Sequence, residues 1–443
     1  MLSLLRLLKQ KLGHRSSVRL AWHHTKALLA AMCYGFPARK LVIIAVTGTD
    51  GKTTTVGMIS HILQEMGISA GSLSTAFLSV KGATEWNATQ KTSPSPFLIQ
   101  QFLQRLVREG CTHAVLETSS HGLVQGRLDY TWPLVGAVTN TTPEHLDYHG
   151  TMEQYRHDKG ILIAMIRKNG TKVLSLDDGG FPYFRTIFTT RTITTSLQSS
   201  ADFRINKTGE STEGIHGIVT DTTSGKTVTL TLHLHGTFNL ENALIALGCT
   251  VAIGVPLERS AIALQSFRGV PGRLERIDEG QSFDVYVDFT VTPAAYKKTL
   301  TTLQSMLPEG KKLLILTGSC GDRMREKRPQ VGRICSDLGD VVVVTNEDPY
   351  TEDPQKIIDE VWAGIDQNSC EAHQIFDRRE AIAFLFAKAE PGDIVILCAK
   401  GSDTTMMTAT GQIPWNEREI ARELLRSGKR KVENGKLKIE RGK

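Results

Sequence analysis

The segment Val46-Thr47-Gly48-Thr49-Asp50-Gly51-Lys52-Thr53-Thr54 lies between an apolar run, Leu41 to Val46, and a helical pattern from about Thr53 to Met66. A glycine-rich turn joining a strand to a helix can converge backbone amides on phosphate oxygens, and the helix N-terminus adds a favourable dipole. Gly48, Thr49, Asp50, Gly51, Lys52, Thr53 and Thr54 would then cradle a nucleotide such as ATP. Within that cradle Lys52 brings positive charge to the β/γ phosphates, and the Thr53 hydroxyl can hold Mg2+. A standard phosphate loop has a glycine where this chain has Val46, so the loop is a Gly-x-x-Gly-Lys-Thr variant. On this loop alone a mononucleotide kinase and a motor-type ATPase both stay open.

Further chemistry is concentrated at the ends of two other apolar runs. Glu117 ends Ala114 to Glu117 and precedes Thr118-Ser119-Ser120-His121-Gly122. A carboxylate there suits magnesium, directly or through water, with a helix cap as the rival role. The run Gly136 to Thr139 leads into Asn140-Thr141-Thr142-Pro143-Glu144-His145-Leu146-Asp147-Tyr148-His149-Gly150. Two histidines and two acids in so short a span indicate a site, although their spacing is not that of a zinc-binding helix. Lys159, in Tyr155-Arg156-His157-Asp158-Lys159-Gly160, reads by itself as a solvated helical lysine.

Strands ending in polar loops at their carboxyl side are what an open parallel sheet presents at its ligand crevice. From Lys40 onward, short β-branched runs alternate with helical patterns, so the expected fold class is α/β. Between Ala201 and Leu234 short runs such as Ile218 to Thr222 and Thr227 to Leu234 predict antiparallel hairpins, followed by a helix from Leu240 to Ile253. The Pro/Gly-rich stretch Gly269 to Arg273 marks a boundary. Beyond it, strands are expected at Val285 to Phe289, Lys312 to Thr317, Val341 to Thr345 and Ile394 to Ala399, with helices at Ala294 to Leu307, Pro354 to Gly364 and Arg378 to Ala387. The expected organisation is a mainly helical N-terminal appendage (1–40), a central phosphate-loop ATPase domain with a mostly parallel sheet and added hairpins (41–268), a C-terminal Rossmann-like α/β domain (269–427) and a basic flexible tail (428–443).

Bulk properties agree with a globular enzyme: 40% of residues are hydrophobic and 22% charged. The net charge of +6 is traced to Lys429, Arg430, Lys431, Lys436, Lys438, Arg441 and Lys443 near the C-terminus, so nucleic acid is not an expected partner. Seven cysteines without a Cys-x-x-Cys pair give neither a zinc knuckle nor a disulfide framework. No run approaches the roughly 20 apolar residues that span a bilayer, so stable membrane insertion is not expected. The segment to Lys40, which opens with five leucines and Arg6 in Met1 to Leu8, reads as one or two basic helices forming a packed appendage, with targeting or surface attachment as the alternative. A cytoplasmic monomer is the expectation.

Taken together, the motifs resemble the Mur ligase family. The resemblance rests on Thr47 to Thr54, Glu-Thr-Ser-Ser-His-Gly-Leu (Glu117 to Leu123), Glu-His-Leu-Asp-Tyr-His-Gly-Thr-Met (Glu144 to Met152), Gly-Thr-Phe-Asn-Leu-Glu-Asn-Ala (Gly236 to Ala243) and Pro-Gly-Arg-Leu-Glu (Pro271 to Glu275). Gly-Asp-Arg at Gly321 to Arg323, Lys327-Arg328-Pro329 and Asp377-Arg378 continue it, so that it covers Leu41 to Arg426. The chain is most similar to the branch that adds the third amino acid to UDP-N-acetylmuramoyl-dipeptide. The resemblance implies ATP-dependent amide formation: a carboxylate is phosphorylated to an acyl phosphate, an amine attacks, and phosphate leaves. It also implies magnesium at Thr53, Glu117, His145 and a carbamylated Lys159, and nucleotide contacts at Asn239, Asn242 and Arg273. Thr92, Ser93, Ser119 and Arg127 would orient the muramoyl-peptide substrate.

Several positions depart from the family pattern. About 40 residues precede the first strand, roughly half the length of the family's UDP-binding domain. Val291 stands where the family strand carries histidine. Glu347-Asp348-Pro349-Tyr350 replaces the Asp-Asn-Pro-Arg of enzymes that add diaminopimelate, and Asp403 stands where a glutamate is usual. Tyr350 cannot supply arginine's bidentate grip on a distant carboxylate. Glu347, Asp348 and Asp403 suggest instead a cationic amino acid such as L-lysine. Two rival readings are a Mur-like ligase acting on another carboxylate and a catalytically weak nucleotide-binding protein.

Overall fold

The computed structural model describes residues 15–211 and 213–433. The Met1 to Leu8 segment and the basic residues from Lys436 onward lie outside the described residues. The chain divides into two compact units, one ending at Arg268 and the other beginning at Gly269.

The first unit is built on an 11-stranded sheet. Its middle is parallel and runs Arg191–Ser196, Thr171–Ser175, Val135–Val138, Val42–Thr47, His113–Glu117, Ala70–Leu73. The central strand is apolar on both faces because helices cover both, and Ile43 to Val46 are all buried. Beyond Arg191–Ser196 one edge continues through Phe203–Ser211, Gly214–Asp221 and Thr227–Leu232, the last two antiparallel as the β-branched runs predict. The opposite edge turns back through Phe77–Val80 and the exposed strand Ala83–Trp86, which the sequence reading did not foresee. Two helices flank the phosphate loop. Lys52–Glu65 begins directly after it, and Thr237–Ala252 packs against that helix and is buried along most of its length.

The second unit carries a six-stranded sheet in the order Glu275–Ile277, Asp284–Val287, Ile394–Leu397, Leu313–Thr317, Val341–Val344, Glu371–Gln374. Only the first pair is antiparallel, and the four expected strands all form. The helices Pro293–Met306, Pro354–Trp362 and Arg378–Lys388 match their expected spans to within two residues. Thr292, Asp353 and Asp377 cap them, each side chain accepting a hydrogen bond from a first-turn amide. The final helix, Glu417–Glu433, extends into the segment expected as a flexible tail, as its lysines, arginines and glutamates favour. Both units together give the α/β architecture expected, a mixed sheet followed by a separate Rossmann-like sheet.

Candidate active site

Parallel register sets the frame of the site. Val46 pairs with Glu117 and Thr47 with Val138, so the loop after Thr47, the Glu117 carboxylate and the segment after Val138 share one sheet edge. Val46, where a standard loop has its first glycine, is still a fully buried strand position, and the turn starts two residues later. Glycine is required at Gly48 and Gly51 by close approach. A Cβ on Gly48 would lie 1.8 Å from Thr139 Oγ1, and one on Gly51, at φ +80°, would lie 2.1 Å from Asn242 Oδ1.

The loop is braced from the neighbouring strand. Asp50 N donates to Asn140 Oδ1 (3.0 Å), Asn140 Nδ2 donates to Asp50 O (3.1 Å), and Thr139 Oγ1 donates to Asp50 O (2.7 Å). Thr49 Oγ1 meets Tyr155 OH at 3.1 Å, and Lys52 Nζ donates to Thr49 O at 2.7 Å. Asn239 and Asn242 are buried beside this loop: Asn242 Nδ2 donates to Asn239 Oδ1 (3.1 Å), and Asn239 Nδ2 to His235 O (2.8 Å). Asn140, Thr139 and Tyr155 were not singled out in the sequence. The polar ending of the strand before Asn140 was the signal for Thr139 and Asn140, and Tyr155, on the helix Met152–Ala164, had none.

Glu117 is buried and does not cap a helix; Ser119 does, accepting from Gly122 N at 3.1 Å. The Glu117 carboxylate accepts from Thr53 Oγ1 at 3.1 Å, from Thr75 N at 2.7 Å and from Thr75 Oγ1 at 2.9 Å. Thr75 in turn meets Thr92 Oγ1 at 2.8 Å. Ser93 Oγ accepts from Ser119 N at 3.0 Å, and Arg127 Nη1 donates to Ser93 O at 2.6 Å. Thr53, Glu117 and Thr92 thus form one hydrogen-bonded group around Thr75, and Ser93, Ser119 and Arg127 a second, the two joined through the Thr92–Ser93 peptide. Thr75, the centre of the first, was unforeseen.

Lys159 corrects the reading of a solvated lysine. It is 1% exposed, and its Nζ donates to Gly48 O at 2.6 Å. Burial pushes its ammonium well below the usual lysine range, and the positive charge of Lys52 pushes it further. The helix Met152–Ala164 carries it inward because Thr151 caps that helix and Tyr155, Leu162 and Ile163 face the core. Asp158, beside it, is held from the other side. His149 Nδ1 lies 2.6 Å from one of its oxygens, Arg15 binds both, and His149 Nε2 reaches Ser120 Oγ at 3.0 Å. Burial alone would raise the Asp158 carboxyl, but hydrogen bonds from His149, Arg15 and Gln154 outweigh it and hold it well below the usual range. His145 sits in a left-handed turn (φ 56°), its ring 4.8 Å from that of His121 in an edge-on contact.

These residues fit a nucleotide and magnesium. The phosphate-loop helix opens on glycines whose absent side chains leave the cradle clear, and Thr53 and Glu117 place hard oxygen donors together, as Mg2+ prefers. Among the described residues no set of three or more His, Cys, Asp or Glu groups forms a metal cage. Magnesium shared between one or two protein groups and substrate phosphates does not need one.

In the second unit the expected acidic pocket already holds an internal cation. Lys400 Nζ donates to both Asp348 oxygens at 2.9 Å and to Asp403 Oδ2 at 3.1 Å, with the lysine fully buried. Asp348 and Asp403 therefore share one internal cation, which offsets one of their two charges. Glu347 lies buried next to them, and burial together with the charge of Asp348 pushes its carboxyl up to about 7. Tyr350 adopts φ 51° and receives the Arg323 guanidinium 5.0 Å from its ring centroid. Arg273 stacks on Phe289 at 4.4 Å. Val291 has no polar side-chain atom, and its backbone carbonyl accepts from Lys327 Nζ at 3.1 Å.

Comparison with known proteins agrees with this geometry. The Mur ligase middle domain matches residues 46–250, and the Mur ligase, glutamate ligase domain matches residues 272–401. A UDP-N-acetylmuramyl-tripeptide synthetase of Roseiflexus sp. is 37% identical over 421 residues, covering 90% of this chain and 81% of that protein. A UDP-N-acetylmuramoyl-L-alanyl-D-glutamate--2,6-diaminopimelate ligase of Thermosynechococcus vestitus is 37% identical over 402 residues, covering 90% and 79%. A solved structure of a UDP-N-acetylmuramoyl-L-alanyl-D-glutamate--2,6-diaminopimelate ligase superposes with a TM-score of 0.61 at 29% identity, covering 88% of this chain and 79% of that one. The UDP-N-acetylmuramoylalanyl-D-glutamyl-2,6-diaminopimelate--D-alanyl-D-alanyl ligase from Acinetobacter baumannii, at 17% identity, shares the fold with a TM-score of 0.65 over 90% of this chain and 80% of that one. With phosphate loop, buried carboxylate and buried lysine at one sheet edge, the chain belongs to the Mur ligase family of ATP-dependent carboxylate–amine ligases.

Proposed function

We propose that this chain extends UDP-N-acetylmuramoyl-L-alanyl-D-glutamate by one amino acid in peptidoglycan precursor synthesis. ATP phosphorylates the terminal carboxylate, the amine attacks the acyl phosphate, and phosphate leaves as the amide forms. The observation that carries this reading is the meeting of Lys159 Nζ with Gly48 O inside the phosphate loop, beside the Thr53–Glu117 pair. The polar network through Thr92, Ser93, Ser119 and Arg127 supports an acceptor carboxylate oriented toward that loop.

Lys52 and the loop amides hold the nucleotide phosphates and offset charge that develops during transfer. Magnesium, when bound, neutralises charge on the transferred phosphoryl group; Thr53, Glu117, His145 and a carbamylated Lys159 would hold it. The environment of Lys159 favours that modification chemically. Only a neutral amine attacks CO2, forming an N–C bond and releasing a proton, and burial shifts this amine toward its neutral form. The carbamate product is an oxygen ligand where the amine is not.

The amino acid end is read from two departures. Tyr350 removes the forked cation that would grip a second carboxylate, which disfavours diaminopimelate and keeps L-lysine as the candidate. Because Lys400 already occupies Asp348 and Asp403, a lysine side chain there would be met by Glu347 or would displace Lys400. The test is phosphate release with acceptor and amine supplied separately and together. Release that requires both supports the ligase, whereas equal release without either would make the chain a simple ATPase.

A further inference from the structure

The helix Ser17–Cys33 has two apolar faces, and the protein uses one of them. Ala27, Ala30 and Ala31 are buried, and the helix packs on Pro96–Arg108 of the same unit. His24 Nδ1 lies 2.5 Å from Asp129 Oδ2, and Arg15, just before the helix, is held by Asp158. These contacts fix which way the helix is turned. The opposite face presents Val18, Trp22, Leu29 and Met32, which are 69%, 51%, 45% and 57% exposed. At 100° per residue all four fall within one narrow stripe. Arg19 and Lys26 line one flank of it, and the Lys26 ammonium lies 5.2 Å from the Trp22 ring centroid.

The charge around this stripe is one-sided. No aspartate or glutamate occurs before Asp50, whereas Arg6, Lys9, Lys11, Arg15, Arg19, Lys26, Arg39 and Lys40 all do. Residues 1–13 add Leu2, Leu4, Leu5, Leu7, Leu8 and Leu12 to the same cationic stretch. A symmetric second copy on this face would bring cation against cation, and so would coverage by residues 1–13. An exposed apolar stripe centred on tryptophan and set in basic residues has the chemistry of a bilayer-surface contact.

We propose that this helix docks on the surface of a bilayer rich in anionic lipid. Apolar side chains enter the headgroup boundary and the surrounding cations face lipid phosphates, without any segment crossing. Among the described residues no helix is long and apolar enough to cross a membrane. Since Arg15 also binds Asp158, next to Lys159, the docked arm is tied directly to the wall of the phosphate-loop site.

The test is co-sedimentation of the full chain with vesicles of phosphatidylcholine alone and of phosphatidylcholine mixed with phosphatidylglycerol, at low and high salt. The expected result is salt-sensitive binding to the phosphatidylglycerol vesicles, weakened about tenfold or more by Trp22→Glu with Leu29→Glu. Both residues are exposed, so the variant should keep the wild-type melting temperature and lipid-free turnover. Three results would overturn the proposal: no binding to either vesicle, equal binding to both, or vesicle binding that the double variant retains. A wild-type dimer in sedimentation velocity that the variant dissociates would overturn it as well, because the stripe would then belong to a second copy.

Discussion

Lys159 Nζ lies 2.6 Å from the carbonyl oxygen of Gly48, so an amine from one helix closes on the backbone of a loop 111 residues earlier in sequence. This contact ties the helix Met152–Ala164 to the turn that receives phosphate. It also explains why a lysine survives in a fully buried place: a carbonyl takes its hydrogen bond, and the amine needs no full charge.

Replacing Lys159 by alanine is expected to lower ligation turnover about 100-fold or more while ATP affinity changes little. Bicarbonate should not restore the variant. With 13C-bicarbonate the wild-type chain should show a carbamate resonance that the variant lacks. Near-normal turnover in Lys159→Ala would remove this residue from the chemistry.

Glu117→Gln keeps side-chain volume but removes the charge facing Thr53 and Thr75. The expected outcome is a higher magnesium requirement and turnover lower by about 10- to 100-fold. Titrating activity against Mg2+ checks it; an unchanged magnesium midpoint would show that Glu117 serves only the hydrogen-bond network.

Gly51→Ala would set a Cβ 2.1 Å from Asn242 Oδ1 at φ +80°. The variant should lose about 1–3 kcal/mol of stability and bind ATP poorly. Thermal melts with and without ATP read both effects. A wild-type nucleotide-induced rise in melting temperature would contradict the close fit of loop and helix.

Two carboxyls should respond to pH with opposite sign. Asp158 has a folded pKa held below its unfolded value, so its contribution is present above about pH 4 and is lost as pH falls toward the folded value. Glu347 has a folded pKa raised to about 7, so its contribution is complete below the unfolded value of 4.5 and fades as pH rises through about 7. Asp158→Asn should therefore flatten the acid limb of a stability–pH curve, and Glu347→Gln should flatten the neutral one. Urea melts across pH 3 to 8 (roughly the span of both windows) would show parallel curves for both variants and wild type if these assignments were wrong.

The phosphate loop and Glu117 were legible in sequence because each occupies a short run with a distinctive strand-to-loop context. The four strands and three helices expected beyond Gly269 were legible for the same reason, whereas Glu275–Ile277, Lys327–Leu338 and Glu371–Gln374 were not. Burial of Lys159 was not, since Tyr155 to Gly160 carries no apolar pattern, and its contact with the Gly48 turn comes from far away in sequence. Thr75 was equally hidden: it lies in the short turn between Ala70–Leu73 and Phe77–Val80, two four-residue strands buried without alternation. The pairing of Asp348 and Asp403 with Lys400 was hidden because sequence shows charge but not its partner, and Lys400 lies beside Asp403 yet 52 residues from Asp348. The apolar stripe on Ser17–Cys33 could be seen only once the alanine face was known to be the buried one.

The central claim is that this site makes an acyl phosphate and hands it to an amine. Its most direct test supplies UDP-N-acetylmuramoyl-L-alanyl-D-glutamate labelled with 18O in its terminal carboxylate, together with ATP, magnesium and a panel of amino acids, and follows products by mass. The account predicts an adduct one amino acid heavier, with one 18O atom transferred to the phosphate released. Phosphate that carries no label, or that forms at the same rate with no amino acid present, would contradict it.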